Sequence, residues 1–178
     1  SEVDKKLEDI RRRLEKLERE TEESLDRVRK ELEDLEKESR ESLKRLREDL
    51  ERVKKTKLDE RTLDDKIEEM KKRNEEHRKK SEDSARELEK RNREHTKRLE
   101  DVERELREEL ERLDRSGVDK KKADELRRVI EEIIRRLREL DEKHRRLVEE
   151  IIRRLEELNR EHSKVVEEIA RELKKTAK

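Results

Sequence analysis

Four histidines are the only side chains in this sequence suited to proton chemistry near neutral pH, and all four share one spacing. His77, His95 and His162 each follow an asparagine by three residues (Asn74, Asn92, Asn159), and His144 follows Asp141 in the same way. A three-residue step on a helix places both members of each pair on one face. Imidazole is the side chain whose ordinary pKa lies between pH 5 and 8. Such a motif could serve as a proton-linked switch, contribute to a metal site or a general base, or form a hydrogen-bond network that selects helix partners.

The elements that must position these residues are long helices. From residue 3 to residue 53, Val3, Leu7, Ile10, Leu14, Leu17, Leu25, Val28 and their successors recur in steps of three and four, which is one face of a helix. The unit repeats every 18 residues: Leu7, Leu25 and Leu43; Met70, Leu88 and Leu106; Ile133, Ile151 and Ile169. Eighteen residues in about five turns is the natural α-helical pitch, so nearly straight helices are expected rather than a heptad supercoil. Stop and start signals are few. In "DRSGVDKKKADEL", Gly117 is expected as the residue just past a helix end and Asp119 as the next N-cap. In "VKKTKLDERTLDD", Asp59 or Thr62 is the N-cap. The expectation is an all-α, straight, antiparallel three-helix bundle, up-down-up with coiled-coil-like packing. It forms a single domain over 1–178, with helices at about 2–56, 60–115 and 119–176.

The polar interruptions of the apolar stripes locate the turns independently. Residues at one level of an antiparallel pair have residue numbers with a constant sum. Thr21 with His95, Ser24 with Asn92, Ser39 with His77 and Ser42 with Asn74 share the sum 116, which puts a turn at residue 58. His95 with Asp141, Asn92 with His144, His77 with Asn159 and Asn74 with His162 share the sum 236, which puts a turn at residue 118. Two polar layers follow. The first holds Thr21, Ser24, Asn92, His95, Asp141 and His144; the second holds Ser39, Ser42, Asn74, His77, Asn159 and His162. Ser81, Ser84 and Ala85 form a small-residue patch that gives clearance to Leu32, Leu35 and Ile152 opposite.

These layers favour hydrogen bonding and proton uptake over the other chemistries. His95, His144 and Asp141 have the ligand types of a two-histidine, one-carboxylate metal site. Hydroxyls and amides crowd the same layer and no His-x-x-x-His pair occurs, so no metal is expected. Ser24, His95 and Asp141 have the residue types of a hydrolase triad. Without a glycine-rich elbow, an oxyanion hole or a substrate pocket, no catalytic residue, cofactor or small-molecule substrate is expected. The expected role is a buried network in which wrong pairings strand polar groups, at about 1–3 kcal/mol each.

Composition excludes further partners. Charged residues make up 63% of the chain, yet 56 basic and 56 acidic residues cancel, and signs interleave along the helices. Neither nucleic acid nor an anionic membrane surface is an expected partner for such a surface. With no Phe, Tyr or Trp there is no stacking platform for bases. No apolar run approaches the ~18 residues of a membrane span, and no targeting signal is visible. The lack of cysteine leaves the redox compartment unread.

The 18-residue repeat, the absence of aromatics and surfaces such as "RRLEELNREHSKVVEEIARELKK" make the chain resemble de novo designed parametric helical bundles with modular hydrogen-bond networks. Its paired Asn-x-x-His layers resemble designs built to dissociate or change shape in acid. That resemblance implies a self-assembling structural object with no natural partner. Asp141, where that pattern has Asn, and a third helix per chain depart from it. A natural coiled-coil spacer or adaptor is the alternative class, and a monomeric designed bundle with purely structural networks, its third helix rotated inward, is the other alternative.

Two further expectations concern assembly and acid. Helix 3 adds a second apolar row (Ile130, Ile134, Val148, Ile152, Val166, Ala170), which widens its inward arc to about 140° and suits a homo-oligomer, a trimer ahead of a dimer. Protonation should loosen the structure. The layer of His77 and His162 should fail first, because Asp141 can compensate charge on His95 or His144 while Asn74 and Asn159 offer only amides.

Overall fold

The computed structural model describes residues 2–56 and 58–176, with side chains from residue 4 onward. Val3, the first member of the helix 1 stripe, and Lys57 in the first turn therefore fall outside the described side chains. Three long helices pack against one another, α1 (Glu2–Lys55), α2 (Glu60–Arg115) and α3 (Lys120–Thr176), and no strand occurs among the described residues. The fold is an all-α three-helix bundle.

Local chemistry explains where the helices stop. Thr56 closes α1 by donating its amide to the Val53 carbonyl (3.2 Å) and its hydroxyl to the Arg52 carbonyl (2.7 Å). Asp59 caps α2: its Oδ1 accepts the Thr62 amide at 3.0 Å, satisfying one of the orphan donors of the first turn. These bonds with Thr62 also hold the Asp59 carboxyl below its ordinary pKa. At the end of α2 the expectation for Gly117 needs correcting. Gly117 does follow the helix end, but no glycine has a positive φ, so it does not close a left-handed cap. Ser116 does that work instead, its amide reaching the Arg112 carbonyl (2.9 Å) and its hydroxyl the Leu113 carbonyl (2.9 Å).

The chain divides into two compact units, Ser1–Val28 with Glu89–Glu149, and Arg29–Leu88 with Glu150–Lys178. Each contains one segment of every helix. In the first unit, Leu7, Leu14, Leu99, Leu106, Leu113, Leu126, Ile130, Ile133, Ile134 and Leu137 form a buried apolar cluster. In the second, Leu46, Leu50, Val53, Leu63, Ile67, Met70, Val166, Ile169, Ala170 and Leu173 form another. Burying one such side chain contributes about 1.5–3 kcal/mol, so these clusters dominate the energetics of each unit. Ion pairs join neighbouring helices around both: Arg136–Glu18 (2.9 Å) and Arg138–Glu103 (2.8 Å) in the first, Lys80–Glu38 (2.9 Å) and Arg154–Glu36 (3.1 Å) in the second. Each pair keeps at least one partner exposed to solvent, and surface pairs contribute about 0–1 kcal/mol each, so they stabilise far less than the apolar clusters.

The second apolar row of α3 is covered within the chain. Ile130, Ile134 and Val148 are buried in the first unit, Val166 and Ala170 in the second, and Ile152 is half-buried. Among the described residues no large apolar side chain is exposed. Periodicity gives the width of an apolar face, whereas the rotation of the helix about its axis decides what covers it. Here α3 is turned so that both rows face α1 and α2.

Candidate functional site: two histidine layers

In the first unit, α1 supplies Thr21 and Ser24, α2 supplies Asn92 and His95, and α3 supplies Asp141 and His144. Thr21, His95 and His144 are buried; Ser24, Asn92 and Asp141 are half-buried. The His95 and His144 rings stack with centroids 4.2 Å apart and planes 13° from parallel. His144 Nδ1 lies 2.8 Å from Asn92 Oδ1, an oxygen that can only accept, so Nδ1 carries the proton. Its Nε2 is then left to accept from the Ser24 hydroxyl, a longer contact at 3.5 Å. His95 has the opposite tautomer. Thr21 gives its one hydroxyl hydrogen to the Leu17 carbonyl (2.7 Å), so its oxygen must accept from His95 Nε2 at 2.6 Å. His95 Nδ1 is left as a buried lone pair without a partner.

Asp141 stands at the level of His95 but bonds elsewhere, its Oδ1 accepting the Thr96 hydroxyl at 2.6 Å. Thr96 belongs to this layer although sequence reasoning did not place it there. The available signal was a hydroxyl directly after the histidine in "EHT", where "EHR" and "KHR" carry arginine.

The second unit repeats the plan with more loose ends. Ser39 and His162 are buried, and Ser42, Asn74, His77 and Asn159 are half-buried. His77 and His162 stack at 4.6 Å and 8°. His162 is held at both nitrogens, Nδ1 on Asn74 Oδ1 at 2.7 Å and Nε2 on Ser42 Oγ at 3.0 Å. Asn74 also donates its amide to Ser163 Oγ (3.1 Å), a second missed member that likewise follows its histidine directly. Neither ring nitrogen of His77 has a partner at normal hydrogen-bond geometry, nor has Asn159 Oδ1; Asn159 lies near enough to favour the charged ring slightly, as a weak, poorly aligned bond would. Ser39 is therefore not bonded to His77 despite sharing its level.

Burial depresses all four imidazoles, because a low-dielectric surrounding disfavours the charged form. His95 is lowered to about 4, by desolvation first and by the neighbouring His144 second, with Asp141 opposing and Arg98 adding a little. Desolvation and then His77 lower His162 to about 4. His144 is lowered by desolvation against the pull of Asp141. For His77, desolvation outweighs the upward pull of Glu38, a carboxylate that the sequence reading of this layer as amide-only overlooked. Two positive charges about 4 Å apart repel by about 4 kcal/mol at an effective dielectric near 20. Each stacked pair thus accepts one proton far more readily than two, and titrates as a unit.

Neither of the sharper chemistries has its geometry here. Imidazole lone pairs lie in the ring planes, so nearly parallel stacked rings cannot converge on one ion. Among the described residues no cluster of three or more potential ligands is placed to hold a metal. Ser24 contacts His144 rather than His95, and no bond links His95 to Asp141, so Ser24, His95 and Asp141 do not form a hydrogen-bonded array. No helix among the described residues is long and apolar enough to cross a membrane. Comparison with protein-family models, with curated proteins and with solved structures gave no match.

Proposed function

We propose that this chain is a structural helical bundle of the idealised, designed kind, whose Asn/His layers select helix pairing and make its stability fall in acid. One observation carries the proposal. His144 and His162, each 1% exposed, are both gripped at their two ring nitrogens by side chains from the other two helices. A titratable ring held neutral in that way both fixes three helices at one level and opposes its own protonation. No catalytic step, cofactor, substrate or nucleic acid enters this proposal. Denaturant midpoints measured from pH 7.5 to about 4.5, the range in which imidazole titrates, test it: a midpoint that stays constant across that range removes the acid response.

Self-association is the second reading, and what motivated it was the wide apolar face of α3. That face is covered within each unit, which favours the single chain as the folded entity. Light scattering at micromolar concentration decides between them: one chain mass supports the monomer, and two or three masses restore the oligomer.

A further inference from the structure

We infer that acid opens the second unit alone and leaves the first closed, because the second layer has more unpartnered polar atoms and only an exposed, already paired counter-charge to hold a protonated histidine. This rests on the acid response proposed above and adds where it acts.

The hydrogen bonds differ first. Three buried polar atoms of the second layer lack partners, His77 Nδ1, His77 Nε2 and Asn159 Oδ1, against one in the first, His95 Nδ1. The counter-charges differ as well. In the first unit His95 faces Thr21 from α1 and Asp141 and His144 from α3, with Arg98 on its own helix. His144 faces Ser24 from α1 and Asn92 and His95 from α2, with Asp141 on its own helix. The half-buried Asp141 carboxylate thus pulls on both rings of the first pair. In the second unit His77 faces Glu38 from α1 and Asn159 and His162 from α3, with Lys80 on its own helix. Glu38 is exposed and already accepts from Lys80 at 2.9 Å, so solvent and that ammonium weaken its pull. His162 faces Ser42 from α1 and Asn74 and His77 from α2, none of them anionic.

Each unit also has its own apolar cluster, so losing one does not by itself remove the core of the other. The half-open state would expose the cluster that includes Leu50, Ile67, Met70 and Ile169.

Hydrogen exchange read by mass spectrometry on the full chain, corrected for the pH dependence of intrinsic exchange, tests this between pH 7.5 and about 4.5. Amides in 29–56, 58–88 and 150–176 are expected to lose protection about tenfold per pH unit for each proton taken up on opening, while 4–28, 89–115 and 120–149 stay protected. Parallel loss in both units, or loss first in the first unit, overturns the inference while leaving an acid response standing. Protection unchanged in both down to the lowest pH removes the acid response itself, and the inference with it. Asp141→Asn, which keeps an oxygen to accept from Thr96, separates the cause. It should raise the pH of the first unit's opening toward that of the second; a variant whose first unit outlasts the second by the original margin overturns the role given to Asp141.

Discussion

Thr96 donates its hydroxyl to Asp141 across the α2–α3 seam at 2.6 Å, and the corresponding residue one 18-residue repeat earlier is Arg78, opposite Asn159. Arg78 turns outward to Glu75 and Glu82, and Asn159 Oδ1 is left without a partner. One hydroxyl therefore separates a satisfied acceptor in one layer from an orphan in the other.

Arg78→Thr should repair that orphan. A hydroxyl at position 78 would donate to Asn159 Oδ1, a bond worth about 0.5–1.5 kcal/mol, while the exposed ion pairs lost with Arg78 contribute at most about 1 kcal/mol. Arg78→Val, of equal shape without the hydroxyl, isolates the bond. Urea midpoints should place the threonine variant above the valine variant; equality of the two denies that a hydroxyl can reach Asn159.

His77 and His144 should respond oppositely to the same substitution at neutral pH. His144→Leu strands Asn92 and Ser24, at a cost of about 1–3 kcal/mol per buried polar group left unpaired. His77 has no well-formed hydrogen bond to lose, only a weak approach to Asn159, so His77→Leu removes two poorly satisfied nitrogens and should be neutral or stabilising. Chemical denaturation of the two variants checks the order, and a His77→Leu chain destabilised as much as His144→Leu would mean that His77 is bonded in solution.

The layers and turns were legible because polar interruptions on three helices carry a mirror relation that only one pairing satisfies, and the caps agree with it independently. What sequence could not give depends on rotations of a few degrees or shifts of a few ångströms. Which ring nitrogen bonds to which hydroxyl, and that Thr21 spends its hydrogen on Leu17, are choices of this size. The rotation of α3 that covers its second apolar row is another. Thr96 and Ser163 lie one residue round the helix from their histidines, at the edge of the apolar stripe, where a pattern of three and four does not look.

Gly117 illustrates a signal that was present but not used. Its φ is not positive and a Cβ built there meets nothing within 4 Å. Gly117→Ala should therefore stabilise by about 0.4–1 kcal/mol, through reduced freedom of the unfolded chain. A loss of 1 kcal/mol or more by thermal or urea melting, within the cost expected of Ala at a positive φ, would place Gly117 in the left-handed region after all.

The pH dependence has a definite sign. All four histidines have folded pKa values below the ordinary ~6.5. The unfolded chain therefore binds more protons, so stability is complete above about 6.5 and declines as pH falls toward the folded values, about 4 for His95 and His162. Each unit of depression contributes about 1.4 kcal/mol to that decline. Replacing the second pair, His77→Asn with His162→Asn, should move the acid transition to lower pH more than replacing His95 and His144 the same way, because Asp141 already offsets part of the charge on the first pair. Circular dichroism followed through the titration provides the comparison. Equal shifts for the two double variants would mean that Asp141, held by Thr96, is no better a counter-ion than Glu38 is for His77.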